Sequence, residues 1–115
     1  MTPTLIFDEA GDLLAALGSP GGSRIIGFVA QSVIALLDWG LDAQAALSLP
    51  RHVNRNGATD LEEDTALETL APALQAMGHE VLIRPLVSGL HAVRRVDGRL
   101  EGGADPRREG AAVGY

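Results

Sequence analysis

Residues 18–37 read GSPGGSRIIGFVAQSVIALL, a glycine-rich loop followed by a long apolar run. From Arg24 to Leu37 the apolar residues cover most of a helical circumference, which predicts a central, buried helix. We expect Ser23 to cap this helix and Gly40 to end it. Outward-pointing N–H groups at such a loop can hold a carboxylate, a phosphate or a developing oxyanion. A tight turn without a ligand explains the same spacing, so both interpretations stay open.

Strands are predicted on both sides of this loop and helix. They cover residues 4–7, 13–17, 81–83, 89–96 and 99–102. The first two form a hairpin, and Asp97-Gly98 between the last two is a strong hairpin signal.

Two further helices complete the pattern. One begins at Asp42 and runs to Leu49; the other follows Thr65, and Pro72 either kinks it or delays its start. Residues 51–60 are predicted to form a loop, and residues 103–115 an ordered loop or terminus. The sum is an α+β arrangement of sheet packed on helices, with residues 1–115 as a single domain.

Composition excludes several classes of protein. Fifteen acidic residues against nine arginines, with no lysine, give a net charge of −6, which argues against binding to nucleic acid or anionic membranes. The chain has no cysteine for disulfide or thiolate chemistry, and no apolar run of about 18 residues to span a membrane. Residues 1–10 lack the pattern of a signal peptide. The sequence therefore does not decide the cellular compartment of the protein. We expect it to be cytoplasmic if these residues are the whole product.

Other candidate sites have simpler interpretations. The three histidines lack metal-ligand spacing, so neither a metal nor a cofactor is expected. The acidic run at residues 60–64 indicates a solvated face or a helix start. Residues 105–108, Asp-Pro-Arg-Arg, suggest either an anion site or, as we favour, an Asp–Arg pair that pins the terminus.

Five stretches match one known family, in the order of that family. They are MTPT at 1–4, GSPGGSRI at 18–25, ALSLPRHVN at 46–54, GHEV at 78–81 and GGADPRREGAAVGY at 102–115. Through them the sequence resembles the C-terminal part of the small subunit of the γ-glutamyltransferase (γ-glutamyltranspeptidase) family. The resemblance covers the chain from its first residue to its last.

The resemblance implies a fold and a chemistry. The fold is the N-terminal-nucleophile hydrolase fold, a four-layer αββα sandwich. In that family a precursor cuts itself into two subunits and exposes an N-terminal threonine. The threonine attacks γ-glutamyl amides, typically of glutathione, with its own α-amine as base. Gly21 and Gly22 match the paired glycines whose N–H groups form the oxyanion hole.

The chain departs from the family pattern in two respects. It has no Thr-Thr-His-like segment to supply the nucleophile, and the paired serines that help to hold the substrate carboxylate normally precede the position of Met1. None of Thr2, Thr4, Thr59, Thr65 and Thr69 matches that motif. Thr2 becomes N-terminal only if Met1 is removed, and Thr-Pro is a poor match.

We therefore expect a chain that is inactive alone and exposes sheet edges and apolar helix faces. Its partner is either the missing upstream half, which would complete a site for a small γ-glutamyl substrate, or a second copy of itself. Two alternatives stay open. One is a non-catalytic remnant or oligomeric module that binds a small anion; the other is β-lactam (cephalosporin) acylase chemistry on the same scaffold.

Overall fold

The computed structural model describes residues 1–114 and contains two sheets, three α-helices and two 3-10 turns. The strands are β1 (Thr4–Phe7), β2 (Leu13–Gly18), β3 (His52–Asn54), β4 (Thr59–Glu62), β5 (Val81–Arg84), β6 (His91–Val96) and β7 (Arg99–Ala104). The helices are α1 (Ile25–Leu37), α2 (Ala43–Ser48) and α3 (Ala71–Ala76), with 3-10 turns at Gly22–Arg24 and Ala66–Leu70. Tyr115, which ends the last family stretch, lies outside the described residues.

The larger sheet has the strand order β1-β2-β6-β7 and is antiparallel throughout. Both predicted hairpins are confirmed. In the β6–β7 turn, Asp97 and Gly98 both have positive φ, of 49° and 76°, as a two-residue hairpin turn of this hand requires. The smaller sheet has the order β3-β4-β5, in which β4 and β5 run parallel.

The core lies between one face of the larger sheet and the helices α1 and α2. Side chains alternate along β2, so Ala15 and Leu17 both point to this face and are buried. Phe28 of α1 and Leu47 of α2 pack in the same aliphatic cluster. The predicted α+β arrangement is confirmed, with α1 laid directly on the sheet by the loop that precedes it.

The opposite face of the larger sheet is apolar and exposed. Leu5, Val93 and Leu100 lie on it, and Leu5 and Leu100 are 61% and 77% exposed. The C-terminal tail crosses part of this face, since a Cβ added at Gly102 would lie 2.9 Å from the Cβ of Ala112. An uncovered apolar sheet face of this kind is typical of a surface that packs against another layer.

The helix α1 is buried on one side only. The predicted burial therefore holds for the side that faces the core, and the other side is an apolar helix face left exposed, as expected. Phe28, Val29 and Leu36 face the core, but Ile26 is 73% exposed and Ile34 is 42% exposed. The sequence periodicity indicates that both sides of the helix are apolar. It does not indicate whether other residues of this chain pack against each side.

The prediction of a loop over residues 51–60 is wrong. This segment contains the strand β3 and the start of the strand β4. His52 and Asn54 are exposed and only Val53 is buried in β3, so the strand carries little apolar signal. Polar strands of three or four residues resemble loops in composition.

The predicted helix boundaries are partly confirmed. Asp42 caps α2 by accepting a hydrogen bond from the N–H of Ala45 at 2.7 Å. Pro72 lies in the first turn of α3, after a 3-10 turn, so that helix begins late. Ser23 does not cap α1, because the 3-10 turn at Gly22–Arg24 leads directly into the helix.

No helix within residues 1–114 combines the length and the apolar character needed to cross a bilayer.

The contact between α2 and β7 predicts one stability effect. A Cβ added at Gly103 would lie 2.8 Å from the carbonyl carbon and oxygen of Ala43, which are backbone atoms that cannot turn aside. Gly103→Ala is expected to reduce the free energy of unfolding by about 1–3 kcal/mol, the usual cost of overpacking. The measurement is urea unfolding followed by circular dichroism.

Gly57→Ala is the matched control, because a Cβ there meets nothing within 4 Å. Equal stability of the two variants would contradict the close packing of α2 on β7.

Candidate active site

The glycine-rich loop joins the end of β2 to the start of α1. Gly21 and Gly22 have φ angles of 142° and 60°, a region that glycine adopts far more readily than other residues. A Cβ at Gly21 would lie 2.9 Å from Cε2 of Phe28, whereas a Cβ at Gly22 would meet nothing within 4 Å. Gly21 is therefore packed against α1, and Gly22 faces open space.

The N–H groups of Gly21 and Gly22 donate to no acceptor within residues 1–114. Gly21 is the N-cap of the 3-10 turn that opens α1 and Gly22 is the first residue of that turn. Both lie at the end of the helix where the dipole favours negative charge. A pair of adjacent, unpaired N–H groups in this place can hold one anionic oxygen.

The first half of the loop is held by Ser19, which is buried. Its Oγ accepts a hydrogen bond from the N–H of Gly89 at 3.2 Å and donates to the carbonyl of Pro20 at 2.6 Å. The N–H of Ser19 donates to the carbonyl of Met1 at 3.4 Å, so the start of the chain lies beside the loop.

The second half of the loop is held by Arg24 through Asp60. Arg24 donates from Nε and a terminal nitrogen to Oδ2 of Asp60 at 3.0 and 2.9 Å. Arg84 approaches the other carboxylate oxygen at 3.2 Å. Asp60 is buried, so the prediction of a solvated acidic face or helix start is wrong at this residue. The carboxylate is buried because two arginines, one from the loop and one from β5, neutralise it.

A second buried cluster of charges lies next to this loop; we call it the Arg51 cluster. Its members are Arg51, Glu62, Ser88, Asp105 and Arg107. Arg51 is fully buried and donates to Oγ of Ser88 at 3.2 Å and to the carbonyl of Leu47. Ser88 donates in turn to Asp105.

Arg107 closes the cluster. It binds Glu62 with two parallel hydrogen bonds of 2.5 and 2.8 Å, and it donates to Asp105 at 3.0 Å. The Asp–Arg pair predicted to pin the terminus is therefore confirmed. Because each charge has a partner, burial of the cluster is tolerated.

The environment shifts the pKa values within the cluster. Burial raises the pKa of the Asp105 carboxyl, but hydrogen bonds from Ser88, Arg107 and Leu90 outweigh burial and bring the pKa below its ordinary value. Burial and the neighbouring Arg107 lower the pKa of Arg51 to about 10, although Asp105 and Glu62 oppose them. Both groups remain charged at neutral pH.

Sequence reasoning found the glycine pair but missed the residues that hold it in place. Asp60 was assigned to a solvated run, and no role was assigned to Ser19, Arg51 or Ser88. One signal was present: a lone arginine, Arg51, directly follows the predicted helix that ends before Pro50. Within residues 1–114 no three side chains of histidine, aspartate or glutamate group as metal ligands would.

Comparison with known proteins decides the family. The profile of the gamma-glutamyltranspeptidase family matches residues 1–115. The chain belongs to this family. Three of the five family stretches contain the loop (GSPGGSRI), Arg51 (ALSLPRHVN), and Asp105 and Arg107 (GGADPRREGAAVGY).

Relatives of two activities are similar over nearly the whole chain. The glutathione hydrolase proenzyme of Bacillus subtilis is 32% identical in an alignment of 117 positions that covers 99% of this chain and 20% of that protein. The acylase ACY 1 proenzyme of Pseudomonas sp. strain V22 is 37% identical in an alignment of 115 positions that covers 98% of this chain and 20% of that protein. The chain thus spans about a fifth of the length of these curated relatives.

A solved structure confirms the fold. The γ-glutamyltranspeptidase of Pseudomonas nitroreducens, complexed with L-DON, superposes with a TM-score of 0.88 at 25% identity, over 100% of this chain and 62% of that one. The chain has the fold of the N-terminal-nucleophile hydrolases.

The Arg51 cluster predicts a loss of stability on removal of one charge. Asp105→Asn leaves Arg107 and Arg51 without their shared anion and is expected to cost about 3–5 kcal/mol in the free energy of unfolding. Because the pKa of Asp105 is lower in the folded than in the unfolded state, its charge stabilises the protein above about pH 4 and this stabilisation disappears as the pH falls. Urea unfolding at pH 3 and pH 7 measures both effects.

Wild type should thus lose more stability between pH 7 and pH 3 than Asp105→Asn does. Asp97→Asn, at an exposed turn residue, is the control and should behave as wild type. If Asp105→Asn leaves the free energy of unfolding unchanged, the cluster does not stabilise the fold.

Proposed function

We propose that residues 1–115 form the C-terminal portion, as one domain, of the small subunit of a γ-glutamyltransferase or hydrolase. In this portion the N–H groups of Gly21 and Gly22 form the oxyanion hole. One observation carries the proposal: two adjacent N–H groups, unpaired within the described residues, lie in a loop that is fixed on both sides by Ser19 and Arg24.

The geometry supports acyl transfer in two steps. A threonine Oγ attacks the γ-glutamyl carbonyl carbon, and its α-amine takes the hydroxyl proton. The carbonyl oxygen becomes an oxyanion, which the two glycine N–H groups stabilise. Collapse expels the amine, which takes the proton, and leaves a γ-glutamyl ester. Water or an acceptor amine then attacks that ester through the same oxyanion hole and releases the threonine.

We propose that polypeptide outside residues 1–115 supplies the threonine, because none of the five threonines here lies in a matching motif. The family resemblance puts the carboxylate-holding serines directly before the position of Met1. The hydrogen bond from Ser19 to the Met1 carbonyl supports this arrangement, since it brings that point of the chain beside the oxyanion loop.

The same upstream polypeptide is the partner that we propose for the uncovered apolar surfaces. The exposed face of the larger sheet, with Leu5, Val93 and Leu100, fits the second sheet of an αββα sandwich. Self-association through this face is the alternative, and it would suit a non-catalytic remnant.

Acylase chemistry is the second candidate, favoured by the 37% identity to the Pseudomonas acylase. An oxyanion hole of two N–H groups serves any amide, so the loop alone does not select the substrate. We expect the assembled enzyme to have a higher kcat/KM for γ-glutamyl-p-nitroanilide than for an acylated cephalosporin. The reverse order of kcat/KM would assign it to the acylases.

Substitution at Gly22 tests the oxyanion hole. A valine at φ +60° is strained, so the backbone turns and the N–H groups leave their positions. Gly22→Val is expected to reduce kcat of the assembled enzyme about 10²-fold or more, as the loss of other oxyanion donors does. The measurement is p-nitroaniline release from γ-glutamyl-p-nitroanilide.

Gly40→Val is a closely matched control. Gly40 has a φ of 64° and, like Gly22, no atom within 4 Å of an added Cβ, but it lies at the other end of α1. Its strain should lower stability to a similar extent and leave kcat near that of wild type. Equal kcat values for the two variants would refute the oxyanion assignment.

A further inference from the structure

Two buried serines connect the oxyanion loop with the Arg51 cluster. Ser88 is fully buried; its Oγ donates to Asp105 and accepts from Arg51. The next residue, Gly89, donates its N–H to Oγ of Ser19, which is the residue before Pro20 in the loop. The path from the charged cluster to the glycine pair therefore runs through two serine hydroxyls and one peptide.

The path is also packed tightly. A Cβ added at Gly89 would lie 2.7 Å from Cγ of Pro20 and 2.7 Å from Cδ of Arg108. Gly89 is thus enclosed between the oxyanion loop on one side and the C-terminal stretch on the other. Contact this close leaves little room for the loop to move relative to the cluster.

We propose that Ser19 and Ser88 are positioning residues for acyl transfer, which hold the Gly21–Gly22 donors in the geometry of the transition state. The inference rests on the proposed function. Neither serine touches the substrate, and each acts through the backbone of residues 88–90.

The physical need for such residues follows from the loop itself. Two consecutive glycines have wide conformational freedom, and oxyanion donors are effective only when they are fixed before the reaction. On the side of β2, the hydroxyl of Ser19 is the acceptor for the buried N–H of Gly89. Its loss would leave that donor unpaired and free the loop from its support.

The test compares Ser19→Ala and Ser88→Ala in the complete enzyme that contains this chain. We expect kcat for γ-glutamyl-p-nitroanilide to fall at least 10-fold in each, with KM within about twofold of wild type. Binding is unaffected because the donors act on the oxyanion, not on the bound substrate. Ser48→Ala is the control, since Ser48 is exposed and the side-chain bonds of its hydroxyl within residues 1–114 are to Gln44 of its own helix.

If both folded alanine variants have the kcat of wild type, the proposal is overturned. An equal fall of kcat in the Ser48→Ala control would also overturn it.

The amide ¹H and ¹⁵N shifts of Gly21 and Gly22 provide a second measurement that does not need activity. They should change in Ser19→Ala and Ser88→Ala but not in Ser48→Ala, and unchanged shifts would overturn the proposal. If wild type itself releases no p-nitroaniline, the proposed function fails, and the amide shifts still decide whether the serines position the loop.

Discussion

The rest of the structure depends on the buried guanidinium of Arg51. Within residues 1–114 it donates to no carboxylate directly; its charge is met through Ser88, whose hydroxyl donates to Asp105. Arg107 then joins Asp105 to Glu62. A buried positive charge without such partners would cost several kcal/mol. The helix α2, the strand β4 and the C-terminal stretch are consequently held together at one point.

This constraint explains why residues far apart in sequence act together. The oxyanion loop is supported at Ser19 by the backbone beside the cluster and at Arg24 by a second buried carboxylate, Asp60. The two glycines between these supports have no side chains, and in the proposed function their N–H groups are the functional atoms. Rigidity comes from the neighbours, and within residues 1–114 the two N–H groups have no acceptor. The apolar face of the larger sheet and the outer side of α1 are exposed in this part of the chain.

The sequence predicts the local features well. The loop before α1, both hairpins of the larger sheet and the cap at Asp42 follow from glycine, turn and capping residues that act over a few positions. Prediction from the sequence fails where two residues that bond are far apart in the chain. Asp60 accepts hydrogen bonds from Arg24, 36 residues away, and the acidic run around Asp60 does not indicate that partner. The polar strand β3 is missed because its composition resembles that of a loop.

The most direct test of the central claim is a crystal structure of the complete enzyme with a γ-glutamyl adduct, formed with L-DON, the compound bound in the Pseudomonas nitroreducens relative. The oxygen that derives from the reacting carbonyl should lie about 2.7–3.1 Å from the amide nitrogens of both Gly21 and Gly22. An adduct whose oxygen is held by other donors, with the glycine N–H groups facing away, would contradict the account.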